Sequence, residues 1–254
     1  MSWSGSDYLL AKNNTVIHTG KVEVSGIGCV ANTGTFIIAD FTFEDKLQSI
    51  FYAFDSSGKI IIKQYLSANI CNCAISNDGK YAVCQCANSE TEDGGTLVFF
   101  DINAGKLLWR NKPICGWADS YSFDQKNKWL LLEKRDQGKY RYTYDGKFID
   151  KPKWGNDRVK FASPYELLRI VEEQHKNMKG SLSADDAKKI QSLLNRALKG
   201  MNDDSWRKSK IYRIAGEVCE ELGKKANAIK YYEMALQLNQ KVGVKRRLSN
   251  LKRH

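Results

Sequence analysis

Histidine is scarce: His18, His175 and His254 are the only three in 254 residues. None sits in a Gly-x-Ser-x-Gly elbow or a His-Glu-x-x-His helix, so the common imidazole-based hydrolase sites have no carrier. Each is read as a surface residue. A phosphate-cradling loop is also missing, because the glycines of "GIG" at 26–28 precede no helix pattern. The acidic clusters "ETED" and "ADD" read as an exposed loop and a helix start. The expectation is a protein that is not an enzyme and calls for no cofactor. No run approaches the ~20 apolar residues needed to cross a membrane. The start "MSWSGSDYLL" shows no basic segment leading into a long apolar one, which predicts no secretory signal. With seven cysteines, an odd number, the reading is a cytoplasmic protein with reduced thiols.

What is present is enough for a packed core: 42% hydrophobic and 11% aromatic residues. The net charge of +11 is uneven. Residues 1–155 hold 18 Lys and Arg against 17 Asp and Glu, while residues 156–254 hold 22 against 12. The last fourteen residues, "KVGVKRRLSNLKRH", carry six basic side chains and no acid. Such a balance suits an acidic partner or a nucleic-acid backbone, or simply a solvated helical surface.

Up to about residue 155, short period-2 segments such as "TFIIADF", "KYAVCQC" and "KWLLLEK" alternate with Asn, Asp and Gly turns, the pattern of hairpin-linked antiparallel strands. The segments repeat. "SIFYAFDSSGKIIIKQ", "TLVFFDINAGKLLWRN" and "KYRYTYDGKFIDKP" align at Gly58, Gly105 and Gly146, spaced by 47 and 41 residues. "GCVANTGTFIIAD", "CNCAISNDGKYAVCQ" and "DSYSFDQKNKWLLLE" align at Gly34, Gly79 and Asn127, spaced by 45 and 48. A further hairpin is expected in "DYLLAKNNTVIHTGKVEV". Four strands per repeat of this length is the size of a propeller blade. The repeats resemble blades of the quinoprotein-like, YVTN-like and WD40-like propeller families over residues 20–155. The resemblance implies three to four blades or hairpin units, and no cofactor, since the quinoprotein ligand set has no counterpart here.

Beyond "KPKWGND" the period changes to that of helices. Ser163-Pro164 opens one, and "YELLRIVEEQHKNM" puts Leu167, Ile170 and Val171 on one face. "SADDAKKIQSLLNRALKG" forms the next, and three more are expected near 204–222, 225–238 and 242–252. Residues 209–242 have the length of a tetratricopeptide repeat, 34 residues. They resemble one at Tyr212, Ala215, Gly216, Ala228, Tyr232 and Ala235. Gly216 and Ala228 would let two helices approach, and Tyr232 would fill the gap. The resemblance implies a partner-gripping face carrying Lys210, Arg213, Glu217 and Glu220. To these the basic terminal segment adds Lys245, Arg246 and Arg247.

The fold class predicted is therefore α+β and multidomain: residues 1–155 an antiparallel, propeller-like β domain, residues 156–254 a tetratricopeptide-like helical domain. The function expected is a non-catalytic protein–protein interaction module, an adaptor, inhibitor or immunity-type protein. The partner-binding candidates are Lys210, Arg213, Glu217, Lys245, Arg246 and Arg247. The alternatives are a nucleic-acid accessory protein, binding weakly through the basic C-terminus, and a ligand-binding or enzymatic propeller. In "NICNCAISNDGKYAVCQCA", pairing Ser76 with Tyr81 would set Cys73 opposite Cys84 and Cys71 opposite Cys86, all on one face. Four thiols on a flat pleat suit core packing better than zinc, whose knuckles are usually Cys-x-x-Cys. A metal site and a redox bridge remain the alternatives.

Overall fold

The computed structural model describes residues 6–23, 25–42, 48–202 and 204–253. The chain divides into two compact units, Met1–Trp154 and Gly155–His254.

The first unit is built of antiparallel sheets. β1 (Ser6–Lys12) and β2 (Thr15–Val22) form a hairpin. Asn13 and Asn14 close it with φ of 49° and 63°, the left-handed pair that matches strand twist in a two-residue turn. β3 (Ser25–Val30), β4 (Phe36–Thr42), β5 (Gln48–Phe54) and β6 (Ile60–Leu66) make a four-stranded sheet in chain order. β7 (Ile70–Ile75), β8 (Tyr81–Cys86), β9 (Leu97–Asp101) and β10 (Lys106–Asn111) repeat it. β11 (Ser120–Asp124), β12 (Trp129–Lys134) and β13 (Gly138–Thr143) give a third sheet of three strands. The repeat glycines 34, 58, 79, 105 and 146 all have positive φ. Each donates its N–H to the carbonyl three residues earlier. A side chain there would be strained, which is why glycine recurs at this spacing.

The fourth strand expected in the last repeat is reduced to a single bridge, Tyr142 to Phe148. Residues 147–150 still follow β13, with Thr143 N–H donating to Lys147 O and Ile149 N–H to Arg141 O. Arg141 then grips Asp150, through its backbone N–H at 2.8 Å and its guanidinium at 2.5–3.1 Å. This side-chain clamp ends the ladder and closes that edge.

The sheets are layered, with an apolar core between successive layers. Leu10 and Val22 of the hairpin meet Phe36, Ile38 and Phe54. Ile37, Ala39, Phe51 and Ala53 meet Cys73, Ala82, Cys84 and Phe100. Val83, Phe99 and Trp109 meet Leu130, Leu132, Tyr140 and Tyr142. The middle sheet is thus covered on both faces, and Ala82–Cys86 are buried without alternation. Gln85, wholly buried, offsets its polarity by donating to Gly95 O at 3.1 Å and Thr96 O at 2.9 Å. Among the described residues the sheets do not close into a barrel.

The second unit is helical. α1 (Lys151–Phe161) runs across the boundary expected at residues 155/156, and the division at 154/155 falls inside it. Its Trp154 packs in the first unit's core and its Val159 in the second's, so apolar contact outweighs the Pro, Gly and Asn of "KPKWGND". α2 (Pro164–Met178), α3 (Ala184–Gly200) and α4 (Ser205–Glu221) are capped by Ser163, Ser183 and Asp204, each accepting a backbone N–H of the first turn. α5 (Lys225–Leu238) and α6 (Lys245–Arg253) follow. Leu167, Ile190, Leu194, Ile211 and Ile214 form one core, and Ala228, Tyr232, Ala235 and Val244 a second.

Candidate functional site

The cysteine hairpin comes out differently from its expected register. Cys73 does oppose Cys84, but a bulge between Ile70 and Asn72 sets Ile70, not Cys71, opposite Cys86. The bulge turns Cys71 out, exposed, its thiol donating to Gln85 O at 3.3 Å. Cys73, Cys84 and Cys86 stay buried as small apolar residues. Among the described residues no group of three or more His, Cys, Asp or Glu is placed to hold a metal ion. Cys29 of the neighbouring sheet donates its thiol to Cys73 O at 3.5 Å. A hydrogen bond from the Cys73 thiol pulls the Cys29 thiol down to about 7, while burial pushes Cys115 up to about 11.

The histidines are likewise not all on the surface. His175 is buried, its Nδ1 3.6 Å from Glu217 and its Nε2 3.3 Å from Glu221. Burial follows from its place on the apolar face of α2, one turn after Val171. His18 is half-buried against Tyr8 and Phe36. His254 lies outside the described residues.

The expected partner-binding residues fall into two groups. On α4, Lys210 pairs with Glu172 of α2 at 3.8 Å, and Arg213 with Glu217 at 3.8 Å. Glu217 also faces His175. Arg247 of α6 reaches Glu220 at 3.1 Å and the Tyr232 hydroxyl at 3.3 Å, and that hydroxyl donates to Glu220 at 2.5 Å. Burial, then the Glu220 acceptor, raises the Tyr232 phenol, while Tyr232 and Glu220 hold the Arg247 guanidinium above its usual value. These charges join α2, α4 and α6 to one another. Lys245 and Arg246 are exposed. At the crossing of α4 and α5, a Cβ on Gly216 would lie 2.5 Å from the Tyr232 ring, so the ring sits against bare backbone.

Two surfaces not singled out by sequence stand out. The hairpin's inner side packs Tyr8 and Leu10, and its outer side presents Leu9, 65% exposed, with Ala11, Val16 and Ile17. Ile17 is the extra residue where the register shifts beside Leu10 and Ala11. A groove of about 410 Å³ runs between β1 and β3, lined by Leu9, Ala11, Gly28, Cys29 and Val30 among others. The second surface lies at the starts of α2 and α4. Tyr165 and Trp206 are 51% and 53% exposed. The Arg207 guanidinium lies 4.8 Å from the first ring and 5.6 Å from the second, and the Lys210 ammonium 3.9 Å from Trp206. A Trp in the first turn after an Asp cap was the available sequence signal, since caps face solvent.

No protein-family model matches the sequence, and no curated protein matches it. Among solved structures, BamB from Moraxella catarrhalis is similar at 16% identity and a TM-score of 0.37, over 53% of this chain and 39% of that one. At this score the likeness decides neither fold nor function. The chain spans about two fifths of that structure's chain. No described helix is long and apolar enough to cross a membrane.

Proposed function

We propose that the protein is a non-catalytic interaction module whose β unit docks a partner protein on the outer face of the β1–β2 hairpin. The observation that carries this is the exposed apolar set Leu9, Val16 and Ile17 on a sheet of only two strands. A two-stranded ribbon is marginal alone, and contiguous apolar exposure of this kind marks a surface that another chain covers. The layered, open sheets are read as propeller-like blades, supported by the repeated strand order. The α4–α5 pair is read as tetratricopeptide-like, supported by the contact of Gly216 with Tyr232.

The test is a double variant, Leu9→Glu with Ile17→Glu, compared with the wild type by cross-linking in the source cells and purification. The wild type is expected to hold a stoichiometric protein partner that the variant loses while keeping its circular dichroism. Equal recovery by both chains, or no partner with the wild type, refutes the reading.

A further inference from the structure

The exposed rings of the helical unit belong to a larger basic end. Pro164 at the start of α2 packs on Gly200 at the end of α3, where an added Cβ would stand 2.3 Å from the proline Cγ. Arg196 of α3 donates to the carbonyls of Val159 and Lys160 in α1. The end of α1, the start of α2, the end of α3 and the start of α4 are therefore neighbours. Among the described residues, Glu166 pairs with Arg169, Glu172 with Lys210, Glu173 with Arg158 of α1, and Asp204 with Arg207. Beyond these pairs, Lys160, Arg196 and Lys199 are exposed. Arg196 and Lys199 also line an open groove of about 570 Å³ on α3, with Lys188, Gln191, Ser192 and Asn195.

We infer that this end of the helical unit binds single-stranded nucleic acid, with bases stacking on Trp206 and Tyr165 and phosphates meeting Arg207, Lys210, Arg196 and Lys199. A single strand alternates flat rings with negative charges, and the surface alternates flat rings with positive ones. Aromatic platforms within a basic track hold single strands without reading sequence, because every base has a π-face. The excess of 22 Lys and Arg over 12 Asp and Glu in residues 156–254 supplies the attraction at longer range. An acidic peptide would satisfy the charges, but it would make no use of the aromatic surface of Tyr165 and Trp206 that stays exposed beside Arg207 and Lys210. The groove on α3 is open and lined by the side chains of polar and charged residues. This goes beyond the partner-binding reading, which concerns the hairpin, so either can fail while the other stands.

The experiment uses the full chain and fluorescence anisotropy at low salt. The probes are labelled oligouridine and oligothymidine, with labelled polyglutamate as the alternative ligand. The oligonucleotides are expected to bind, with an association constant that falls linearly on a log–log plot against salt. Trp206→Ala should weaken binding roughly tenfold, as loss of one stacked base does. Tyr165→Ala should act in the same direction. Arg207→Glu should weaken binding and flatten the salt slope. Arg246→Glu, on α6, should change little. Unshifted melting midpoints establish that each variant folds, and Tyr165→Ala carries the test if Trp206→Ala does not. Absence of oligonucleotide binding at low salt overturns the inference. So does a loss from Arg246→Glu that matches the loss from the ring variants, which would locate the binding on the basic terminal helix. Polyglutamate binding with the same dependence on Trp206 and Tyr165 overturns it in favour of an acidic peptide.

Discussion

The middle sheet of the β unit and the row of helices α2, α4 and α6 solve the same problem with different chemistry. Each must tie neighbouring elements together. In the sheet the ties are apolar: Phe51 and Phe100 stack across two layers with centroids 4.2 Å apart, both fully buried. In the helices many ties are polar: Glu172 with Lys210 and Glu220 with Arg247 are half-exposed ion pairs, and the buried His175 faces Glu217 and Glu221. Burial of apolar area stabilises by about 25 cal/mol per Å². Exposed pairs return at most about 1 kcal/mol each, because water screens them and long side chains lose freedom. The charged row thus fixes which helix faces which, while Leu167, Ile190 and Ile211 supply the cohesion.

The sharpest break of this contrast is Phe100→Ala. Removing a fully buried ring costs about 3–5 kcal/mol, transfer and cavity together. Denaturant unfolding followed by tryptophan fluorescence should show that loss in midpoint with little change in slope. A loss under 1 kcal/mol would mean the layers are held elsewhere. The next is Gly216→Ala on α4. Alanine gains about 1 kcal/mol of helix propensity over glycine. Its Cβ would nevertheless meet the buried Tyr232 ring at 2.5 Å. Overpacking of this kind costs about 1–3 kcal/mol, so the net effect expected is destabilisation by about 1 kcal/mol, read from helical circular dichroism. A more stable variant would show that Tyr232 can yield, and that the α4–α5 crossing is not set by bare backbone.

The sequence was most legible where a backbone conformation demands one residue type. The aligned Gly34, Gly58, Gly79, Gly105 and Gly146 all mark left-handed turns, and the strands between them follow. The Ser76–Tyr81 register held near the turn, where Ser76 N–H donates to Tyr81 O at 2.8 Å. It failed at Cys71 because a bulge depends on tertiary packing rather than on alternation. Gln85 shows the same limit from the other side: alternation opposes it to the cysteines, but nothing local says that Gly95 and Thr96 carbonyls await its amide. The last repeat loses its fourth strand to a clamp, Arg141 with Asp150, whose partners look like ordinary charged turn residues in sequence. On the helices, the candidate residues were chosen by likeness of spacing, and the spacing of Lys210, Arg213 and Glu217 says which face they share. It does not say that Glu172 and His175 stand opposite them. Trp206 and Tyr165 went unmarked because both lie outside residues 209–242, the span over which the tetratricopeptide likeness singled out helical candidates.

The smallest expected effect tests the ionic half of the contrast most directly. Lys210 and Glu172 join α4 to α2 at 3.8 Å, with both side chains partly exposed. A double-mutant cycle of Lys210→Met and Glu172→Gln isolates their interaction from what each loses alone. Partial exposure and the long separation place the coupling at about 0.2–1 kcal/mol, and molar salt should reduce it toward zero. Lys210 also lies over Trp206, so its single variant should lose more than Glu172→Gln, and that excess should persist in salt because methionine keeps the apolar contact but not the charge on the ring. A coupling above about 2 kcal/mol that survives salt would place the pair among buried, desolvated ones. The helical row would then be held by charge as firmly as the middle sheet is by its rings, and the two regions would differ in chemistry but not in strength.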